Sequence, residues 1–416
     1  MGAITHRVTT ALLAAGLSTG ASAAFVEDSS ANLQMRNFYF DRDFHDGPGQ
    51  SQAQEWAQGF ILRMKSGYTD GPVGFGLDAT GMAGYKLDSG PGRSGTGLLP
   101  RDPLTKEPAD EYSKFGLAAK ARFSATELQS GTLQPMLPVI LGVPSRLFPP
   151  LFRGTYLRSQ EVKGLTLHAG HMDRIKLRDS TDYEPMRISS PNGRFKASAE
   201  SNSFNFVGAD YAFSENLTGT YYYAQLNDLY RQHYLALLHY QPLGPGKLKS
   251  DLRFFDSSEQ GSARAGQVDN RTVNAMFTYL WGAHSLGLAY MHLSGDTALP
   301  YLAGTDVNVN TEGALTSEFV NPHERTWQVR YDYDFAGLGI PGLRAMGRYI
   351  RGSDIDLPIT NGSGKEREAG VELAYVVQSG TFKGLGMRVR QASYRNDFSR
   401  DFDETRVNLD YTLSLW

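Results

Sequence analysis

The chain has no cysteine in its 416 residues. Disulfide staples, thiolate metal sites and cysteine nucleophiles are therefore all excluded. Long hydrophobic runs are missing too, since no stretch reaches the roughly 18 apolar residues that mark a membrane-spanning helix. Neither sign of charge dominates. With 41 Lys and Arg against 44 Asp and Glu, the formal net charge is −3, and no nucleic-acid footprint is expected. Glycine (45), tyrosine (22) and phenylalanine (22) are abundant, which, with no long apolar run, rules out a helical membrane protein.

The amino-terminus carries His6 and Arg7, an uncharged apolar run from Val8 to about Gly20, and then Ala21-Ser22-Ala23-Ala24. A short cationic region, a run too short to span a bilayer and small residues at a cleavage point together read as an export signal. Residues 1–24 are expected to be removed, leaving 25–416 as a single domain. Beyond that signal lies an oxidising compartment, so a chain without cysteine must draw its stability from a continuous hydrogen-bonded sheet.

The mature part repeats one pattern. From Thr405 to Trp416, Val407, Leu409, Tyr411, Leu413 and Leu415 alternate with Arg406, Asn408, Asp410, Thr412 and Ser414, ending on an aromatic residue. Successive side chains of a strand point to opposite faces, so this ribbon has an oily side and a wet side. Trp327, Val329, Tyr331 and Tyr333 alternate likewise with Gln328, Arg330, Asp332 and Asp334. So do Phe115, Leu117 and Phe123 with Lys114, Lys120 and Arg122, and Val371 and Leu373 with Glu368 and Glu372.

Short Gly, Pro and Asn turns such as Ser214-Glu215-Asn216 and Gly282-Ala283-His284 separate some segments. Long polar stretches (Ser89–Glu111, Arg178–Asn202, Ser258–Asn270, Ala298–Pro322, Asp354–Lys365) separate the others. Tight turns at one rim and long loops at the other define an all-β fold, a transmembrane antiparallel β-barrel of about 18 strands in a bacterial outer membrane. A charge facing lipid at the midplane costs about 2–4 kcal/mol. The charged member of every alternating strand is therefore expected to face inward, leaving a barrel greasy outside and ionic within.

Several ordered blocks resemble the OprD-type substrate-specific porins. They include Arg36-Asn37-Phe38-Tyr39-Phe40-Asp41, Val73-Gly74-Phe75-Gly76-Leu77-Asp78-Ala79, Gly95-Thr96-Gly97-Leu98-Leu99-Pro100, Ser145-Arg146-Leu147-Phe148-Pro149 and Ser294-Gly295-Asp296-Thr297-Ala298. The resemblance implies an eighteen-stranded barrel narrowed by inward-folded constriction loops and selective for small solutes, many carrying a carboxylate. It leaves open whether the protein is a monomer or a loose homotrimer.

Arg388 and Arg390 share one face of a strand, with Met387 and Val389 on the other. Arg344 and Arg348 share the inward parity of what reads as the neighbouring strand, and Arg406 lies on the last. These five arginines are expected on consecutive strands as a vertical file of positive charge. Guanidinium groups hold carboxylates bidentately and remain charged at any relevant pH. The resemblance implies that such a basic ladder guides anions and that the proline-rich segment from Gln134 to Pro150 folds into the lumen, bringing Arg146 to its narrowest part. Asp306, Glu312 and Glu318, in the loop from Ala298 to Pro322, are expected to supply an acidic counter-face.

Two other readings are available. A receptor or adhesin barrel would bind a partner through its long loops; the absence of a plug segment before the barrel argues against an energy-driven transporter. An outer-membrane acyl hydrolase would use His292 and Ser294, two apart on one face, but no acid or amide is evident to orient the imidazole. His168 and His171 fall on opposite faces and cannot share a metal. No cofactor or metal is expected. The expected partners are outer-membrane lipid and lipopolysaccharide and small solutes such as amino acids, peptides or organic acids, with no nucleic acid.

Overall fold

Strands buried in lipid can satisfy every backbone donor and acceptor only if their sheet closes on itself. The computed structural model, which describes residues 25–310, 317–357 and 362–416, has that closed form. The export segment expected at residues 1–24 lies outside the described residues.

Among the described residues, eighteen strands make one antiparallel barrel. The first six are β1 (Ser30–Phe44), β2 (Gln52–Lys65), β3 (Gly74–Asp88), β4 (Glu111–Phe123), β5 (Thr126–Leu133) and β6 (Leu151–Ser159). Next come β7 (Leu165–Lys176), β8 (Phe204–Ser214), β9 (Leu217–Leu226), β10 (Tyr230–Leu243), β11 (Gly246–Glu259) and β12 (Asp269–Trp281). The last six are β13 (His284–Ser294), β14 (Arg325–Asp334), β15 (Leu343–Ile355), β16 (Gly364–Val376), β17 (Gly386–Asn396) and β18 (Phe402–Ser414). Each pairs with its successor, and β1 pairs with β18 from Asn32↔Ser414 to Phe44↔Phe402. Trp416 finishes the seam: its indole donates to Ser29 Oγ at 2.9 Å, and its carbonyl accepts the Ala31 N–H.

The alternation sorts as the lipid argument requires through most of the height. On β18, Arg406 is 3% exposed and Leu409 38%; on β16, Glu368 is 1% exposed and Val371 58%. All the short turns expected from the sequence lie at one rim and all the long loops at the other.

Two expectations fail in an instructive way. The interior is not ionic throughout. Phe204, Phe206, Tyr222, Tyr234 and Phe255 face inward and are buried, because loop residues such as Ile188, Phe195, Leu299 and Leu302 pack on them inside the barrel. Nor does every strand charge point inward. Arg271, Arg325, Arg351 and Arg367 are exposed on the outer face, all within a few residues of the long-loop rim. The cost of a lipid-facing charge falls toward about 0–1 kcal/mol at the interface, so the penalty that orients charges at mid-height does not apply there.

Candidate functional site

The constriction begins with bare wall. Gly59 on β2 and Gly84 on β3 are cross-strand partners facing the lumen. A Cβ on Gly59 would stand 3.0 Å from Leu147, and one on Gly84 2.5 Å from the Tyr112 ring. Only glycine lets the loop lie this close. Leu147 and Phe148 fill the space, fully buried with Phe38, Phe40, Leu98 and Tyr112. Lys114, 3% exposed, donates to the Pro149 and Leu177 carbonyls and pins the base of the loop. On β5 the chain parts from β4 at Gly131, two residues before the strand ends, with a φ of 134° that L-residues rarely adopt and a Cβ position 2.2 Å from the Leu117 carbonyl.

The loop thus places Arg146 on the lumen. Its Nε donates to the Thr96 carbonyl at 2.7 Å, and its guanidinium lies 5.1 Å from the Phe40 ring centroid. Arg406, from β18, lies 4.9 Å from the same ring. One aromatic ring therefore contacts both the loop arginine and a wall arginine. Burial, with Arg406 and Arg178 nearby, pushes Arg146 well below the usual guanidinium range, though arginine keeps its charge.

The second loop enters from the other side. The Asp306 N–H donates to the Leu141 carbonyl at 3.1 Å, so the two loops meet. Arg253 on β11 donates to Asn308 Oδ1 at 2.8 Å, and Asn310 Nδ2 donates to Asp251 Oδ1 at 3.1 Å. Asp306 lines the lumen; its burial raises its pKa from the ordinary carboxylate value, opposed by Arg178 and Arg146. Glu318 also lines the lumen but is paired at 3.3 Å with Arg194. Glu312 lies outside the described residues.

Between the loops and the wall remains an open cavity of about 1640 Å³, lined by Arg36, Arg146, Arg344, Arg348, Arg388, Arg390 and Arg406 on one side of the ring and by Lys249, Asp251, Arg253 and Asp306 on the other. The expected file of five arginines needs a correction. Arg344 and Arg348 lie on β15, Arg388 and Arg390 on β17, and β16 runs between them. The intervening strand brings Glu372, whose carboxylate lies 3.4 Å from Arg388 and 2.6 Å from Arg390. The alternation of Glu368 and Glu372 with Val371 and Leu373 already marked β16 as a strand; the expected file went wrong by setting the Arg344 and Arg388 strands side by side without it.

The same two-to-one arrangement recurs. Arg42 and Arg406 both contact Glu404 at 2.5 Å. Arg36 pairs with Asp410 at 2.7 Å. Arg344, 75% exposed in its side chain near the short-turn rim, contacts Asp334 at 3.1 Å. Arg36, Arg42 and Glu404 escaped the sequence reading, although all share the inward parity of their strands. A carboxylate shared by two guanidinium groups fixes their geometry, and at Glu372 the two positive groups outnumber the one negative.

The rival hydrolase constellation is not assembled. Met291 and Leu293 are fully buried inside, so His292 and Ser294 share the outward face that a lipid hydrolase would use, but His292 Nδ1 has no hydrogen-bond partner among the described residues and Ser294 Oγ donates to the Arg271 carbonyl at 3.3 Å instead. Among the described residues no group of three or more His, Asp or Glu could hold a metal. His168 faces inward, with Nδ1 2.6 Å from Tyr156 Oη, while His171 faces outward.

A closed barrel with a greasy belt, a loop-narrowed lumen and a charged lining is a diffusion channel of the outer-membrane porin class. The chain belongs to the outer membrane porin, OprD family, whose family model matches residues 23–415. It is 39% identical over 413 residues to the porin-like protein GalP of Pseudomonas putida KT2440, covering 98% of each chain. Among solved structures, OccK9 (OpdG) of Pseudomonas aeruginosa superposes with a TM-score of 0.91 at 42% identity, over 94% of this chain and 100% of that one. OpdK of Pseudomonas aeruginosa, solved with vanillate, superposes with a TM-score of 0.88 at 42% identity over the same shares. The protein is an outer-membrane, substrate-specific channel, its long loops outside the cell and its short turns in the periplasm.

Proposed function

We propose that this channel passes small organic anions by passive diffusion, with carboxylates handed along the wall carrying Arg36, Arg348, Arg388, Arg390 and Arg406, past Arg146 on the constriction loop. Arg344 stands at the periplasmic exit. Asp306, and more weakly Glu318, face this wall and disfavour a second negative charge on the solute. The observation that carries the reading is the sharing of Glu372 by Arg388 and Arg390, two guanidinium groups to one carboxylate beside open lumen. A row of such groups offers successive shallow sites rather than one trap. The vanillate in the OpdK structure, an aromatic carboxylate, is consistent with the same chemistry. Residues 1–24 fit this reading as the export signal, which amino-terminal sequencing of the membrane-inserted protein would test.

The experiment is Arg390→Ala compared in liposome swelling with a monocarboxylate and a neutral sugar of equal size. Carboxylate flux is expected to fall more than sugar flux. Equal loss of both would refute the proposal.

A further inference from the structure

The outward arginines at the long-loop rim are unevenly spread. Arg351 on β15, Arg367 on β16 and Arg395 on β17 are direct cross-strand partners on one face. Like charges placed directly opposite one another repel and destabilise a sheet. Arg395 is offset by Asp403 at 2.9 Å. Arg351 and Arg367 are both exposed, and among the described residues no carboxylate lies within ion-pair distance of either. Their strands run about 4.8 Å apart, so two long guanidinium side chains can close on one phosphate from either side, each donating to different oxygens. The same cross-strand row continues into Trp327 and Tyr290, exposed aromatic residues of the kind that sit at headgroup level.

Directly below this row the lipid-facing wall is hollow. A groove of about 600 Å³ runs between Val329 and Tyr331 on one flank and Gln391 and Ser393, with Asp403 behind them, on the other, over a floor of Gly347, Ala369 and Val371. It continues toward the short-turn rim as a second hollow of about 410 Å³ that shares Tyr331, Gly347 and Val371 and adds Leu373 and Val389. Nothing lies within 4 Å of where a Gly347 Cβ would be, so the floor is open to an occupant. Arg351 stands four residues beyond Gly347 on β15, about 13 Å along the strand. That spacing sets a charged head at the interface and an apolar tail within the hydrocarbon.

We propose that the outer face of β14–β17 is a binding site for a phosphorylated acyl lipid of the outer leaflet, its phosphate on Arg351 and Arg367 and an acyl chain in the groove over Gly347. The site lies outside the lumen and does not depend on the anion-channel reading.

The test uses the whole barrel in nanodiscs of zwitterionic phospholipid, titrated with a bis-phosphorylated lipid A, with its dephosphorylated form and with inorganic phosphate, bound lipid being counted by native mass spectrometry. The phosphorylated lipid is expected to remain bound, with affinity about tenfold weaker in R351Q/R367Q, the loss of charge-assisted hydrogen bonds. Gly347→Leu, which fills the groove, is expected to weaken it comparably. Unchanged potassium chloride conductance in both variants will report an intact barrel. Equal retention of the dephosphorylated lipid, undiminished retention by the double variant, or full competition by inorganic phosphate would overturn the proposal. So would a stable oligomer that Gly347→Leu dissolves, since the groove would then belong to a second copy of the chain.

Discussion

Arg36 and Asp410 are direct cross-strand partners across the seam of the barrel, and their side chains meet at 2.7 Å. The same guanidinium donates to the Arg146 carbonyl at 3.0 Å and to that of Pro144 at 3.3 Å. It can reach over the wall because its partner on the other side is Gly59. One side chain therefore ties the closing strand pair to the constriction loop. Arg36→Ala removes two hydrogen bonds to loop carbonyls that lumen water can reach, a local cost of about 0.5–1.5 kcal/mol for each. The sheet keeps its backbone ladder, so thermal unfolding is expected to change little. Single-channel current in planar bilayers, by contrast, should become noisier and larger on average.

The bare wall gives a second handle on that loop. Gly84→Val puts atoms where the Tyr112 ring and Leu147 already are, at 2.5 and 3.1 Å from the first added carbon. Overpacking of this kind costs about 1–3 kcal/mol, and the loop is the softer partner. The expected outcome is a displaced loop and raised conductance. Gly81→Val, where nothing lies within 4 Å, is the control and should leave conductance unchanged.

These two relationships also mark where sequence reading stops. The strands β14, β16 and β18 were plain in sequence because only one of their faces meets lipid and the other meets water or polar loop. On β8 to β11 the inward Phe206, Tyr222, Tyr234 and Phe255 are as apolar as the outward residues, because loops fold back onto them, so the period-two contrast fades. The inward parity of Arg388 and Arg390 could be read within one strand. The contacts of Arg36 with Asp410, 374 residues away, and of Glu372 with its arginines exist only once the sheet has closed. The position of Asp306 depends on two loops meeting, which no local pattern encodes.

Asp306 predicts a pH dependence. Burial raises its pKa, so as pH falls from neutral it takes up a proton before an ordinary aspartate at about 3.9 would. Protonation removes negative charge from the lumen opposite the arginine wall. Anion-over-cation selectivity, measured from reversal potentials in a salt gradient, is expected to rise as pH is lowered through that window. Asp306→Asn should show the raised selectivity already at neutral pH and lose this part of the pH dependence. A wild-type profile in Asp306→Asn would remove the residue from the selectivity argument.

Glu372 offers the sharpest test of the wall. Its carboxylate lies 2.6 Å from Arg390 and 3.4 Å from Arg388, so Glu372→Gln keeps the shape and a hydrogen-bonding oxygen but removes the charge that two guanidinium groups share. A unit charge at about 4 Å in water is worth about 1 kcal/mol, roughly a fivefold change in local ion occupancy. The anion-to-cation permeability ratio is therefore expected to rise about two- to fivefold at 0.1 M salt, where the Debye length is about 10 Å. At 1 M salt, with a Debye length of about 3 Å, the gain should fade. Loss of selectivity at low salt would mean instead that the two arginines need Glu372 to hold them apart, and that the carboxylate acts on geometry more than on charge.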